Sequence, residues 1–232
     1  MSLPLRTKIT GLVVFAALLP VLVVFTLTQD LRKEIAAKVE SELYLLAQDN
    51  IAQIAKDVFK ICKTTNELVF QQVTQSLRTI TILLTRSLGV TLNPSAQVSW
   101  EVLDPQTGKT TTMSLPQMEY EGQWLGQVRA TNETIALVDE IVKMTGMDCS
   151  VFQRMNDKGD MLRVASSVIG SDGRRVLGVP IRARLANGTT NAAIQKVIKG
   201  ETATDMTQTP GHQFIAAFLP LIDPGGYVFG MV

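Results

Sequence analysis

From Ile9 to Leu27 the chain is apolar, with no charge between Lys8 and Asp30. The run is long enough to cross a bilayer as one helix. Arg6 and Lys8 precede it and Asp30 follows, so the positive-inside bias places residues 1–8 in the cytoplasm and everything after a transmembrane helix over residues 9–29 outside. Pro20 is compatible with a spanning helix, because neighbours can re-satisfy the freed carbonyl. No small-x-small cleavage site follows the run, which also exceeds a usual signal-peptide core, so the segment reads as an uncleaved anchor. Residues 30–88 then contain neither Gly nor Pro. Apolar positions recur there at steps of three and four: Ala47, Ile51, Ile54, Val58, Ile61, then Val69, Val73, Leu77, Ile80 and Leu84. That is a long α-helix with one apolar seam, whose step slips near Thr64-Thr65-Asn66, marking a change of winding or a break. Unbroken, it would be roughly 90 Å long, more than one small domain covers. Part of the seam therefore needs a partner, most simply the same helix of a second copy in a parallel homodimer.

At Gly89 the period changes. Val98 to Leu103 alternates as a strand, Asp104 to Gly108 is a turn, and Thr110 to Leu115 is the return strand. Gly108-Lys109-Thr110 resembles the end of a phosphate loop, but Leu103 stands where the first glycine belongs, and the triplet closes a hairpin rather than opening a helix. Thr131 to Thr145 predicts a helix capped by Asn132 and stopped by Gly146. Strands follow at Cys149 to Met155 and Leu162 to Ile169, around the turn Asn156 to Asp160, and at Val176 to Ile181 after Ser171-Asp172-Gly173. Asn191 to Lys199 is a short helix ended by Gly200. Gln213 to Ile222 and Tyr227 to Val232 are strands joined by Asp223-Pro224-Gly225-Gly226. The class is α+β: after the anchor and long helix, residues 98–232 make an antiparallel sheet with two helices laid against it.

Charge narrows the function. The 232 residues carry 22 Lys and Arg against 21 Asp and Glu, so no excess positive charge points to nucleic acid. Cys62 and Cys149 cannot make a disulfide framework, and with one His there is no metal-ligand spacing. One bond between the two is permitted in an oxidising compartment; two separately buried thiols are the expectation. Ser166-Ser167 lacks elbow glycines, and no nucleophile and base stand at a recognisable spacing. The expectation is a non-enzyme without metal or cofactor.

What remains is binding. Arg163 is expected to share a strand face with Ala165 and Ser167, small residues that leave room beside a guanidinium, and Arg154 to share one with Ser150 and Phe152. A guanidinium held against a sheet grips a carboxylate in two-pronged fashion, and Arg175 is a third candidate. The bland alternative is a solvated arginine, or one paired with Asp160 or Asp172. His212 falls in a loop, and Phe214 and Phe218 are core residues of which one forms a pocket wall. The candidate ligand site is thus Arg154, Arg163, Arg175, Ser167, His212 and Phe214, with a small molecule bearing a carboxylate as partner. A different class is an ectodomain with a filled core and no pocket; small residues at Ala165, Ser167 and Ala216 argue against it.

Trp100, Thr107-Gly108, Leu115-Pro116, Gly122-Gln123-Trp124-Leu125-Gly126, Val138-Asp139, Phe152-Gln153-Arg154-Met155, Gly159 to Ala165, Asp172-Gly173, Gly200-Glu201 and Leu219 to Asp223 occur in an order that resembles extracytoplasmic Cache domains. The resemblance is to the Cache-3/Cache-2 fusion type of methyl-accepting chemotaxis proteins and related bacterial receptors, and covers roughly Asp30 to Val232. It implies a PAS-like sheet, a small-molecule ligand bound in the periplasm, an inner-membrane anchor, and a second transmembrane helix leading to cytoplasmic modules beyond Val232. The input domain of a sensor histidine kinase or cyclic-nucleotide enzyme is the alternative within that fold. Cys149-Ser150-Val151, Val179, Thr204 to Thr207 and Gly211 to Phe214 depart from the family pattern where a ligand could be contacted, so the family's ligand chemistry does not carry over.

Overall fold

A computed structural model describes residues 5–86, 89–104, 107–185, 187–209 and 212–232, with side chains from residue 16 onward except those of 86, 206–209, 212 and 213. The Gly- and Pro-poor stretch forms one helix, α1 (Leu5–Arg86), which runs through Thr64-Thr65-Asn66 without interruption. The slip in the seam is therefore no break in the helix, yet it falls at the boundary between two compact units, Met1–Thr65 and Asn66–Val232. In the first unit the seam is bare: Ile51, Ile54, Val58 and Ile61 are all exposed. Among the described residues no helix is long and apolar enough to cross a membrane. The span expected from Ile9 begins in residues 9–15, whose side chains lie outside the described set.

In the second unit the seam is used. Val73 is buried, and Ile80, Leu83 and Leu84 pack against the main core. Ser76 Oγ donates to Met147 Sδ at 3.1 Å. Strand β1 (Val90–Leu103) pairs antiparallel with β2 (Thr110–Tyr120), which pairs with β3 (Gln123–Trp124). β1 starts eight residues before the expected Val98, because an irregularity between Asn93 and Gln97 absorbs Pro94 and lets pairing continue back to Val90. The Gly108-Lys109-Thr110 triplet does close the hairpin.

Helix α2 (Ala136–Thr145) begins later than predicted, and Asn132 does not cap it. The Asp139 carboxylate reaches back instead and accepts from Ile135 N at 2.8 Å. Gly146, at φ +68°, stops the helix with its N–H on Val142 O, as the sequence predicts. β4 (Ser150–Arg154), β5 (Met161–Ser166) and β6 (Pro180–Ile181) lead to α3 (Ala192–Ile198), where Asn191 Oδ1 accepts from Ala193 N and Ile194 N. β7 (Ala203–Thr209), absent from the sequence reading, pairs with β8 (His212–Phe218); β9 (Pro220–Ile222) and β10 (Val228–Met231) follow. The expected single strand Gln213 to Ile222 is therefore two, parted at Leu219, which exchanges both backbone bonds with Val232.

The central sheet is antiparallel in the order β6-β5-β4-β10-β9. Neighbouring residues of its strands enter different clusters: Val151 and Leu162 join Trp100, Val102, Leu137 and Ile141, whereas Phe152, Met161 and Met231 join Ile194 and Val197 of α3. Strand alternation puts these clusters on opposite faces, one under α2 and the β1–β2 hairpin, the other under α3. This is the expected α+β, PAS-like arrangement.

Candidate functional site

The candidate arginines have very different fates. Arg175 is buried and every nitrogen is committed: Nε donates to Ala130 O at 3.4 Å, Nη1 to Ser166 O at 3.1 Å, and Nη2 to Glu133 O and Asp139 Oδ1, both at 3.1 Å. Its partner is Asp139, not Asp172, and the cluster pins the start of α2 to the strand region. Arg154 likewise donates from Nε to Asn156 O at 3.0 Å, from Nη1 to Val228 O at 3.3 Å and from Nη2 to Asp157 O at 3.0 Å, and stacks on Tyr227 at 4.7 Å. Most of their donors are thus tied to the fold, with two N–H groups of Arg154 and one of Arg175 left over. Asp160, the other proposed partner, pairs with Arg182 at 3.1 Å, and Arg182 also reaches Asp104 at 3.2 Å.

Arg163 is the exception. Its Nε is buried and has no hydrogen-bond partner, alone in this among buried side-chain nitrogens and oxygens of the described residues. Its guanidinium carbon lies over the Phe152 ring, 5.1 Å from the centroid. Burial lowers the guanidinium pKa. The residue as a whole is only partly buried. A desolvated cation with an idle donor is costly, and an incoming anion relieves that cost.

Two bulges aim this side chain. On one side Val151 pairs with Ala165 but Phe152 with Arg163, so Val164 is an extra residue on β5. On the other, Gly178 N donates to Arg163 O at 2.9 Å while Arg163 N donates to Val179 O at 3.2 Å, so two residues oppose one. Gly178 has φ +77°, and a Cβ there would overlap Glu101 O, because Leu103 N docks on Gly178 O at 2.9 Å. Only glycine meets both demands.

The first bulge corrects the expected neighbours. Arg163 and Ala165 oppose consecutive residues of β4, so they point to opposite faces, and Ala165 packs in the core with Val151. Ser167 Oγ accepts from Cys149 N at 2.9 Å and donates to Asp148 at 2.8 Å. Ala216 sits opposite Asp205 in the β7–β8 hairpin. The three small residues therefore do not shape one space. Phe214, opposite Thr207, is 46% exposed and walls no closed pocket. His212 opens β8, but its side chain lies outside the described residues. Phe218 packs against the α3-side core as expected.

Sequence reasoning missed the Phe152 platform and the Gly178-Val179 bulge; the signal for the second was a glycine inside an apolar strand pattern. The two cysteines are unpaired, but Cys62 is exposed rather than buried. Cys149 is buried, and burial, with Asp148 nearby, pushes its thiol up to about 12. Among the described residues no group of His, Cys, Asp and Glu could hold a metal ion. An open groove of about 620 Å³ bounded by Trp124, Arg129, Glu133 and Arg174 does not include Arg163.

The family model described as the Cache 3/Cache 2 fusion domain matches residues 36–232. No curated protein and no solved structure matches the chain.

Proposed function

The chain belongs to the Cache 3/Cache 2 fusion domain family, and from that premise we propose that it is the sensing region of a bacterial transmembrane chemoreceptor that binds a carboxylate at Arg163. Membership makes it an extracytoplasmic small-molecule sensing domain, a role that requires no catalysis. The chemoreceptor context rests on the likeness of its motifs to that receptor class, and the inner-membrane anchor on the uncharged run Ile9 to Leu27. The exposed seam of α1 supports a parallel homodimer, through which ligand binding would shift or rotate the helix.

The observation that carries the ligand reading is the partnerless Nε of Arg163. A carboxylate would satisfy Nε and one Nη together, in the side-on geometry for which guanidinium is suited. Organic acids, amino acids and amines screened by thermal shift should include an acid that raises the melting temperature, since a ligand of the folded form stabilises it by mass action. Arg163→Ala should weaken that acid by about 1.5–3 kcal/mol, the range for hydrogen bonds to charged groups. An affinity unchanged in Arg163→Ala would remove Arg163 from the site.

A further inference from the structure

The segment leading into α2 borders an open groove whose side chains the fold does not use. Its volume is about 620 Å³, and Trp124, Arg129, Glu133 and Arg174 line it. Small-molecule sites span roughly 300–1,000 Å³. Trp124 is 47% exposed, whereas Trp100, the other tryptophan, lies in the core. Among the described residues, the side chains of Arg129, Glu133 and Arg174 have neither a hydrogen bond nor an ion pair, although all three border the same space.

The backbones that carry these idle groups are nevertheless fixed. Arg129 O accepts from Arg175 N at 2.8 Å, and Glu133 O from Arg175 Nη2 at 3.1 Å. Arg174 O accepts from Gly170 N at 2.8 Å, and Arg174 N donates to Asp172 Oδ1 at 3.1 Å. Trp124 pairs with Glu119 of β2, Leu125 N donates to Met118 O at 3.1 Å, and Gln127 Nε2 donates to Ser99 O at 2.8 Å. The Arg129 guanidinium rests over Gly178, with Nη2 3.6 Å from where a Cβ would stand. A lone exposed arginine is ordinary. Here two arginines raise the potential of one groove, neither turns to the neighbouring glutamate, and the wall that presents them is already ordered, which lowers the cost of binding.

We infer that this groove is a second ligand site, separate from Arg163, and that it takes a small aromatic carboxylate. Two arginines and one glutamate leave the groove a net charge of +1, which one carboxylate balances. The guanidinium forks suit a carboxylate, and the exposed indole offers a flat apolar face to a ring. Glu133 disfavours a second carboxylate by like-charge repulsion.

The test is calorimetric titration of the whole chain with benzoate, 4-hydroxybenzoate and indole-3-acetate, against acetate, which lacks the ring, and benzamide, which lacks the charge. At least one aromatic acid should bind tenfold or more tighter than both controls. Arg129→Ala and Arg174→Ala should each weaken it threefold or more, and Trp124→Ala should bring it to within threefold of acetate. Arg163→Ala should leave it unchanged. If no aromatic acid binds, or the ring confers no advantage over acetate on the unmodified chain, the inference falls whether or not a variant folds. If Arg163→Ala abolishes the binding while Arg129→Ala and Arg174→Ala leave it intact, the acid sits at Arg163: the inference falls and the carboxylate reading above stands.

Discussion

Two arginines twelve residues apart show how the same side chain acquires opposite roles. Arg175 bonds three backbone carbonyls and Asp139, so removing it strands several buried acceptors at once. Arg175→Met should therefore lower stability by about 2–4 kcal/mol in denaturant melts, with the helical signal of α2 reduced; a loss under about 1 kcal/mol would mean that the cluster is not a structural pin. Asp160 adds a pH dependence. Burial pushes its carboxyl up, but the Ala183 N–H, Asn156 and the Arg182 guanidinium outweigh it, and the net shift is downward. A carboxylate whose folded pKa lies below its unfolded value of about 3.9 stabilises the fold above that pH and ceases to as pH falls through the folded value. Asp160→Asn should then be less stable than the parent at pH 7, and the gap should narrow as the pH falls through the lowered folded value; a gap independent of pH would contradict the ion-pair account.

At the scale of elements, the long helix, the Gly146 stop and the β1–β2 hairpin were legible, because local chemistry alone specifies them: a 3.6-residue period, a left-handed terminus, a turn. What was not legible came from distant partners. Asn132 loses the cap because Asp139 supplies it from within the helix and Arg175 takes the Glu133 carbonyl, a contact no local window contains. Ala165 leaves the face of Arg163 because one bulge reverses the alternation, and strict period-two reading has no means to see an inserted residue. β7 escaped notice because Ala203 to Thr209 is polar and pairs only with β8 in a two-stranded hairpin. Along the seam of α1, Ile54 and Ile61 before the slip are exposed, whereas after it Val73 is buried and Ile80 packs on the core. Cysteines placed at Ile54 or Ile61 should crosslink between copies in membranes, while the same change at an outward position such as Lys56 should not. No crosslink at any seam position would count against the parallel dimer.

For the molecule as a whole, sensing asks that the unliganded fold carry a defect which the ligand repairs. In the function proposed above Arg163 is that defect: a buried nitrogen without an acceptor, on a sheet whose other buried side-chain polar groups are satisfied among the described residues. Such a group is retained at the expense of stability, as functional groups commonly are. Replacing it with Met keeps the stem and removes the charge, so the free protein should gain about 1 kcal/mol, or roughly 2–4 °C for a chain of this size, after allowing for the lost contact with the Phe152 ring. The same change should erase the stabilisation that a bound acid confers. The most direct measurement is therefore a pair of thermal melts, the parent chain and Arg163→Met, each with and without a saturating carboxylate identified in the screen. The account predicts that Arg163→Met melts higher than the parent without ligand and no longer responds to the acid. A variant that melts lower than the parent, or that still shifts with the acid as the parent does, would contradict it.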